Sequence, residues 1–386
     1  MFDFSIGDVD GGEIVKGMSF KSGSEYYLIR RLGRGGMGEV WLAHRKSAAG
    51  HVHNVAVKFL TDPGSGGESL AVEALRMSRL SHDNIVQFVD SGVDADGRCF
   101  VAMAFVEGMD LDGLRQLAKG ARPSVGESVA AVCLPGKIVG FIMFMTLRAI
   151  GYAHTFDFGD GVVGLIHRDV SPGNILIDEQ RGFIKLSDFG VAAIQDPNQA
   201  CGQIAGKIPY MAPEVLLEDP IDARTDIYAL GVVAYELITG FNPNMRLDRS
   251  YSVLGAISEV MLSFDEPLCP AHELIKNVDK ELSGIISKML KRDKERRYSS
   301  ANAVLEDLSA YLFDRGFGPT TGSMASYITL LRNPQMRPTE RIKHNLRFFD
   351  WSSKDNAMQL MSVLTPGAEG AVKEGLNPAR SAHLFA

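Results

Sequence analysis

The chain has 386 residues, 45% of them hydrophobic and 23% charged, with 40 Lys and Arg against 47 Asp and Glu for a formal net charge of −7. That balance can bury a sizeable core over one or two domains, and it excludes a collagen-like or mainly disordered chain. A general nucleic-acid binder carries a basic excess, so the acidic balance argues against that class.

Residues 1–24 are rich in Gly, Asp and Ser, show no periodicity and read as a flexible leader. From Tyr26 the texture changes to short β-branched and aromatic runs (Tyr26-Tyr-Leu-Ile, Glu39-Val-Trp-Leu-Ala, Asn54-Val-Ala-Val-Lys-Phe-Leu) divided by Gly-rich breaks. Such alternation predicts an antiparallel sheet with tight connections. A helical pattern follows over 68–80, then two more strand-like runs ending near Val106. Beyond Gly108 the period is mostly helical. The segments 138–153 and 226–239 are apolar on most faces, which predicts two buried helices. The periodic region closes near Leu312, and 313–386 carries Gly-Pro, Asn-Pro and Arg-Pro breaks with a helical stretch at 325–331. The tail's aromatic cluster Phe348-Phe-Asp-Trp351 either docks on the larger lobe or meets a partner.

Cys99, Cys133, Cys201 and Cys269 are too dispersed for a C-x-x-C pair, and read as free thiols of a reducing compartment. The strongest apolar run, 138–147, is about half of the roughly 20 residues that a membrane span requires. The acidic start MFDFSIGDVDGGE lacks the basic and apolar regions of a signal peptide. The expectation is a soluble, cytoplasmic chain with no membrane span and no nucleic-acid partner. His44, His51 and His53, beside Arg45 and Lys46, read as a solvated hairpin.

Gly33-Arg-Gly-Gly-Met-Gly-Glu-Val40 fits G-x-G-x-x-G-x-V, with glycines at 33, 35, 36 and 38 that let backbone approach phosphate oxygens. A dinucleotide fold would continue into a helix, whereas here a strand-like run follows, and no G-K-[ST] ending is present. Val55-Ala-Val-Lys58 ends an apolar run in a lysine able to hold phosphates, and Glu73, in the next helical segment, is placed to pair with it.

Ile166-His-Arg-Asp-Val-Ser-Pro-Gly-Asn174 and Lys185-Leu-Ser-Asp-Phe-Gly190 complete the pattern. With Ala212-Pro-Glu214 downstream, the chain resembles the eukaryotic-like protein kinases, most closely the bacterial serine/threonine kinases, over about residues 26–312. The resemblance implies an α+β, two-lobed fold with a small β-rich lobe (25–106), a larger α-helical lobe (107–312) and an extension (313–386) of unknown role. It further implies transfer of the γ-phosphoryl of MgATP to Ser or Thr hydroxyls of proteins, with Asp169 as catalytic base, Lys58 and Glu73 as a phosphate-positioning pair, and Asn174 and Asp188 as ligands of two Mg²⁺ ions. In the family's pattern Leu32, Val40, Ala56 and Leu176 enclose the adenine, backbone groups of Ala104 and Val106 read its edge, and Met103 guards the pocket behind it. Asp110 either meets a ribose hydroxyl or caps a helix. His167 and Phe189 are packing residues, Glu214 and Arg297 a buried ion pair, and Asp226 an anchor for the catalytic loop. The alternative is a pseudokinase, an ATP-binding scaffold or switch.

Two departures from that pattern stand out. Ser171 occupies a position where the serine/threonine branch usually has lysine, and Lys207 one where it usually has threonine. Lys207 is therefore expected to enter the site, supplying the missing cation with the Ser171 hydroxyl as its partner. Residues 191–209 contain no Ser, Thr or Tyr, so no hydroxyl there can take a priming phosphate. Arg168, of the type that reads such a phosphate, faces either Asp196 or backbone carbonyls. Autophosphorylation, if it occurs, falls in the leader or the tail.

Overall fold

The computed structural model describes residues 18–19, 25–35, 38–47, 50–60, 76–94, 96–120, 133–159, 161–189, 207–245, 253–275, 278–313 and 318–333. The first part is an antiparallel sheet of β1 (Met18–Ser19), β2 (Glu25–Gly35), β3 (Gly38–Lys46), β4 (Val52–Leu60), β5 (Phe88–Val93) and β6 (Cys99–Ala104), in the order β1-β2-β3-β4-β6-β5. Side chains alternate across a strand, and here the two faces do different work. Val55, Val57, Phe59, Phe100 and Ala102 join Tyr26 and Leu28 in one buried cluster. Their neighbours Ala56, Lys58, Val101 and Met103 lie on the opposite face, with Val40 paired to Lys58 and Ala56 to Met103. Of the helical pattern read over 68–80, residues 76–79 are described and helical.

A second, three-stranded sheet, β7 (Gly108–Asp110), β8 (Ile175–Asp178) and β9 (Ile184–Leu186), roofs the helical lobe. β7 comes so close to β8 that a Cβ on Gly108 would lie 1.9 Å from the Ile177 carbonyl oxygen. Below it lie α1 (Leu111–Gly120), α2 (Gly136–Thr155), α3 (Arg224–Thr239), α4 (Val253–Ser263), α5 (Lys280–Met289) and α6 (Ala301–Phe313). α2 extends over 20 residues, twice the apolar run that marked it in the sequence. Among the described residues it is the one helix long and apolar enough to cross a membrane, yet Phe141, Ile142, Met143, Leu147 and Ile150 are buried in the lobe's core. α3 is buried on almost every side, as its apolar pattern predicts, and ends at Gly240.

The lobes are sewn together between residues 84 and 86. Leu186 donates its N–H to the Asn84 carbonyl, Val86 donates to the Leu186 carbonyl, and the Asn84 amide reaches the Ile184 carbonyl at 2.8 Å. A last helix, α7 (Thr321–Arg332), longer than the stretch read at 325–331, begins in a Thr320/Ser323 capping box. It buries Met324, Tyr327 and Ile328 in the large-lobe core, and Arg332 forms a bidentate pair with Glu179 in the β8–β9 turn. In that turn Gly182 has φ +69°, and an added Cβ would lie 1.9 Å from the Thr321 carbonyl oxygen.

Candidate functional site

The cleft between the lobes is built first from the β2–β3 hairpin. Gly33 pairs with Val40, Arg34 with Glu39 and Gly35 with Gly38, so the glycine-rich stretch forms the hairpin's end. Gly36 lies outside the described residues; Leu32 is exposed at the hairpin's start. Behind the hairpin, Met103 and Val101 pack with Val106 and Leu176, so the small-lobe sheet and β8 share one apolar surface. The Ala104 N–H donates to the Gln87 carbonyl at 2.8 Å and is therefore already satisfied. Asp110, whose two readings stood open, accepts the Gly113 N–H at 2.7 Å and caps α1.

Lys58 is 5% exposed, and its ammonium donates to Asp188 Oδ1 at 2.9 Å. Glu73, expected as the lysine's partner, lies outside the described residues. Asp188 follows β9 with φ +60°, an uncommon conformation for a non-glycine residue. Burial pushes its carboxyl up, but Lys58 above all, then Lys207 and His167, outweigh burial and hold it below the usual carboxylate range. An ionised carboxylate so deep needs such compensation.

Asp169 is 9% exposed and sits beside Asn174, whose amide donates to Asp169 Oδ2 at 2.9 Å and to its carbonyl at 2.7 Å. The Pro172–Asn174 turn closes this geometry, and the buried Ser171 begins it, accepting the Asn174 N–H on its carbonyl. Lys207 comes in from the opposite side. Its ammonium donates to Asp169 Oδ2.

A support layer holds these groups. The His167 ring accepts the Asp169 N–H on Nδ1 at 3.2 Å, so Nε2 donates to the Ser187 carbonyl at 2.8 Å, and Phe189 packs edge-on at 4.5 Å. Asp226, on α3 and fully buried, accepts the His167 and Arg168 N–H groups at 2.8 Å each, and the His154 ring at 2.7 Å. Burial would raise this carboxyl; the His154 bond outweighs it and keeps the group below its ordinary range. Arg168 is thereby held at φ +64°. Further out, Glu214 and Arg297 form a buried bidentate pair at 2.7 Å. His154 was not singled out from the sequence, nor was the Tyr210–Glu236–Arg115 chain, in which the tyrosine hydroxyl donates at 2.6 Å and Arg115 pairs at 3.0 Å. These residues sit at no motif spacing; only the packing of α2 and α1 against α3 brings them together.

The sequence profile of the protein kinase domain matches residues 26–308. The chain belongs to the protein kinase family. Among the relatives of this kinase-family chain, a tyrosine-protein kinase named MasK from Myxococcus xanthus (strain DK1622) is 31% identical over 78% of this chain and 45% of its own length. The serine/threonine-protein kinase Pkn1 of Myxococcus xanthus is also 31% identical, over 74% of this chain and 38% of its own. A probable serine/threonine-protein kinase, PknB of Bifidobacterium longum (strain NCC 2705), is 28% identical over 75% and 40%. The chain thus spans less than half the length of these relatives. Of solved structures, the kinase domain of PknI from Mycobacterium tuberculosis superposes with a TM-score of 0.54 at 26% identity, covering 76% of this chain and 98% of that one. The two-lobed α+β fold is that of the family.

Proposed function

We propose that this chain transfers the γ-phosphoryl of MgATP to Ser or Thr hydroxyls of proteins. The observation that carries the reading is the convergence of the buried Lys58, Asn174 and Asp169 with the half-buried Asp188 in one cluster in the cleft. Phosphoryl transfer asks mainly for positioning and neutralisation of charge, and this cluster offers both. Asp169 accepts the proton of the attacking hydroxyl. Lys58 steadies the α- and β-phosphates. Val40, Ala56 and Leu176 clasp the adenine, and because the Ala104 N–H is spent on Gln87, the edge is read by the Ala104 carbonyl and a Val106 backbone group.

The residues fit magnesium. The Asn174 amide nitrogen is committed to Asp169 and Asp188 Oδ1 to Lys58, which leaves Asn174 Oδ1 and Asp188 Oδ2 as hard oxygen donors. Two Mg²⁺ ions there would neutralise the charge of the phosphates. The kinase unit is assigned to 25–312, preceded by the leader and followed by the extension. With no hydroxyl in 191–209, its activation needs no phosphate on that segment, and self-labelling falls in 1–24 or 313–386.

The test is transfer of label from γ-labelled ATP, with Mg²⁺, to the chain itself and to a generic basic protein. Label should appear on serine or threonine and fall at least about 1,000-fold in Asp169→Asn. Nucleotide binding without any transfer would refute the reading, and label on tyrosine alone would replace its acceptor class with the one in the name of the MasK relative.

A further inference from the structure

Along the cleft, charges alternate: Lys58, Asp188, Lys207, Asp169. Lys207 bonds to the carboxylate oxygen of Asp169 that also takes the Asn174 amide. Its charge reaches Asp188 too: burial raises that carboxyl, and Lys207, after Lys58, helps bring it down. The backbone of Lys207 is pinned, because it leads directly into the turn Ile208–Tyr210, whose Ile208 and Pro209 are buried and whose Pro209 carbonyl accepts the Asn244 amide at 2.7 Å. The side chain itself is 30% exposed. A lysine head on four methylenes can swing from such a fixed point, and this one can leave Asp169 without stranding a buried cation.

The resting arrangement has a consequence. A substrate hydroxyl must give its proton to Asp169, yet a cation seated on that carboxylate favours its ionised form and weakens it as a base. What draws an ammonium away from a carboxylate is a group of higher negative charge, and the γ-phosphate of ATP is one. We propose that Lys207 is a mobile cation for the transferred phosphoryl group: it pairs with Asp169 here and moves to the γ-phosphate oxygens when ATP binds, freeing the Asp169 carboxylate for the proton of the acceptor hydroxyl. In the transfer, the bond from Pγ to the bridging oxygen breaks, its electron pair staying on ADP. The hydroxyl oxygen bonds to Pγ, and its proton passes to Asp169 Oδ2. Lys207 stays with the equatorial oxygens, where charge resides in such transition states.

This proposal rests on the kinase reading, and its test separates the two. Calorimetric titration of the full chain with MgADP and with a magnesium complex of a non-hydrolysable ATP analogue measures what the γ-phosphate contributes to binding. Lys207→Met should bind MgADP within about twofold of wild type, which also reports that the cleft is folded, while the analogue-over-ADP preference drops about tenfold, the worth of one charged hydrogen bond. Its kcat should fall about 100-fold, the loss typical of one transition-state donor. Lys207→Arg should keep most of the preference and part of kcat. An unchanged analogue-to-ADP ratio in Lys207→Met overturns the proposal, whatever happens to turnover. A wild type that transfers no label, yet shows a preference that depends on Lys207, fails the kinase reading and keeps the γ-phosphate contact.

Discussion

Replacing Arg297 with methionine would leave Glu214 buried and without its cation. The arginine side chain is fully buried, and its five donors are all committed: two to Glu214 at 2.7 Å, Nε to the Lys291 carbonyl at 2.6 Å, and one each to the Arg292 carbonyl at 2.9 Å and the Arg224 carbonyl at 3.3 Å. Methionine fills a similar length and offers none of them. Glu214 keeps the Thr225 hydroxyl at 3.0 Å and its own backbone N–H, but no cation. Removing one partner of a buried pair destabilises by about 3–5 kcal/mol, and the Lys291 and Arg292 carbonyls, left dry, add about 1 kcal/mol each, so about 5–7 kcal/mol is expected near neutral pH. The pH dependence sharpens the expectation. In the wild type, burial raises the Glu214 carboxyl but Arg297 outweighs it, leaving it below its ordinary value of 4.5. The pair's contribution is therefore present above that value and lost as pH falls through the lower folded value. In the variant the cation is gone and burial outweighs the remaining Thr225 and backbone bonds, so the folded carboxyl is raised and the deficit shrinks on acidification, as Glu214 takes up a proton. Urea unfolding followed by far-UV ellipticity, which the helical lobe dominates, measures this. A deficit below about 1 kcal/mol, or one that does not change with pH, would refute the reasoning. Glu214→Gln combined with Arg297→Met should lose less than the sum of the single changes.

Asp226→Asn should lower stability by about 3 kcal/mol, because its new NH₂ group must face at least one donor among the His154 ring and the His167 and Arg168 amides. Turnover, measured on protein that is still folded, should fall too as Arg168 loses the bond holding its positive φ. Gly182→Ala should push α7 off the β8–β9 turn, since the methyl carbon would meet the Thr321 carbonyl at 1.9 Å on a backbone already at φ +69°. The thermal midpoint should drop by an amount corresponding to about 1–3 kcal/mol, and an unchanged midpoint would mean that α7 can shift without loss.

Much of this molecule was legible before any coordinates. Period-two runs became β2, β3 and β4, and short motifs marked Lys58, Asp169, Asn174 and Asp188, which the fold gathers in the cleft. What escaped was whatever depends on distance across the fold. His154 reaches Asp226 from 72 residues away, and nothing in its local sequence separates it from an ordinary helix-end histidine. Lys207 was expected in the cleft, but which acceptor it meets there depends on how the Ile208–Tyr210 turn seats in the core, which no local pattern encodes. The cap that Asp110 places on α1, with the Gly113 N–H 2.7 Å away, depends on where the helix starts. The register of α7 on Gly182 was hidden in the same way, since a turn glycine looks alike whether or not a helix leans on it.

The seam between residues 84–86 and β9 acts as an axle. Backbone bonds on both sides of Ile85 tie the small lobe to Leu186, two residues before Asp188. Sliding one lobe over the other would break those bonds together, whereas rotation about the line they define preserves them, so the low-energy motion is a swing. Points far from an axle travel furthest. The tip of the glycine hairpin therefore sweeps an arc, while Asp188, next to the pivot, hardly moves. On the proposed kinase reading, such a swing opens the cleft without dismantling the Asp188 carboxylate and the Asn174 amide that would hold magnesium.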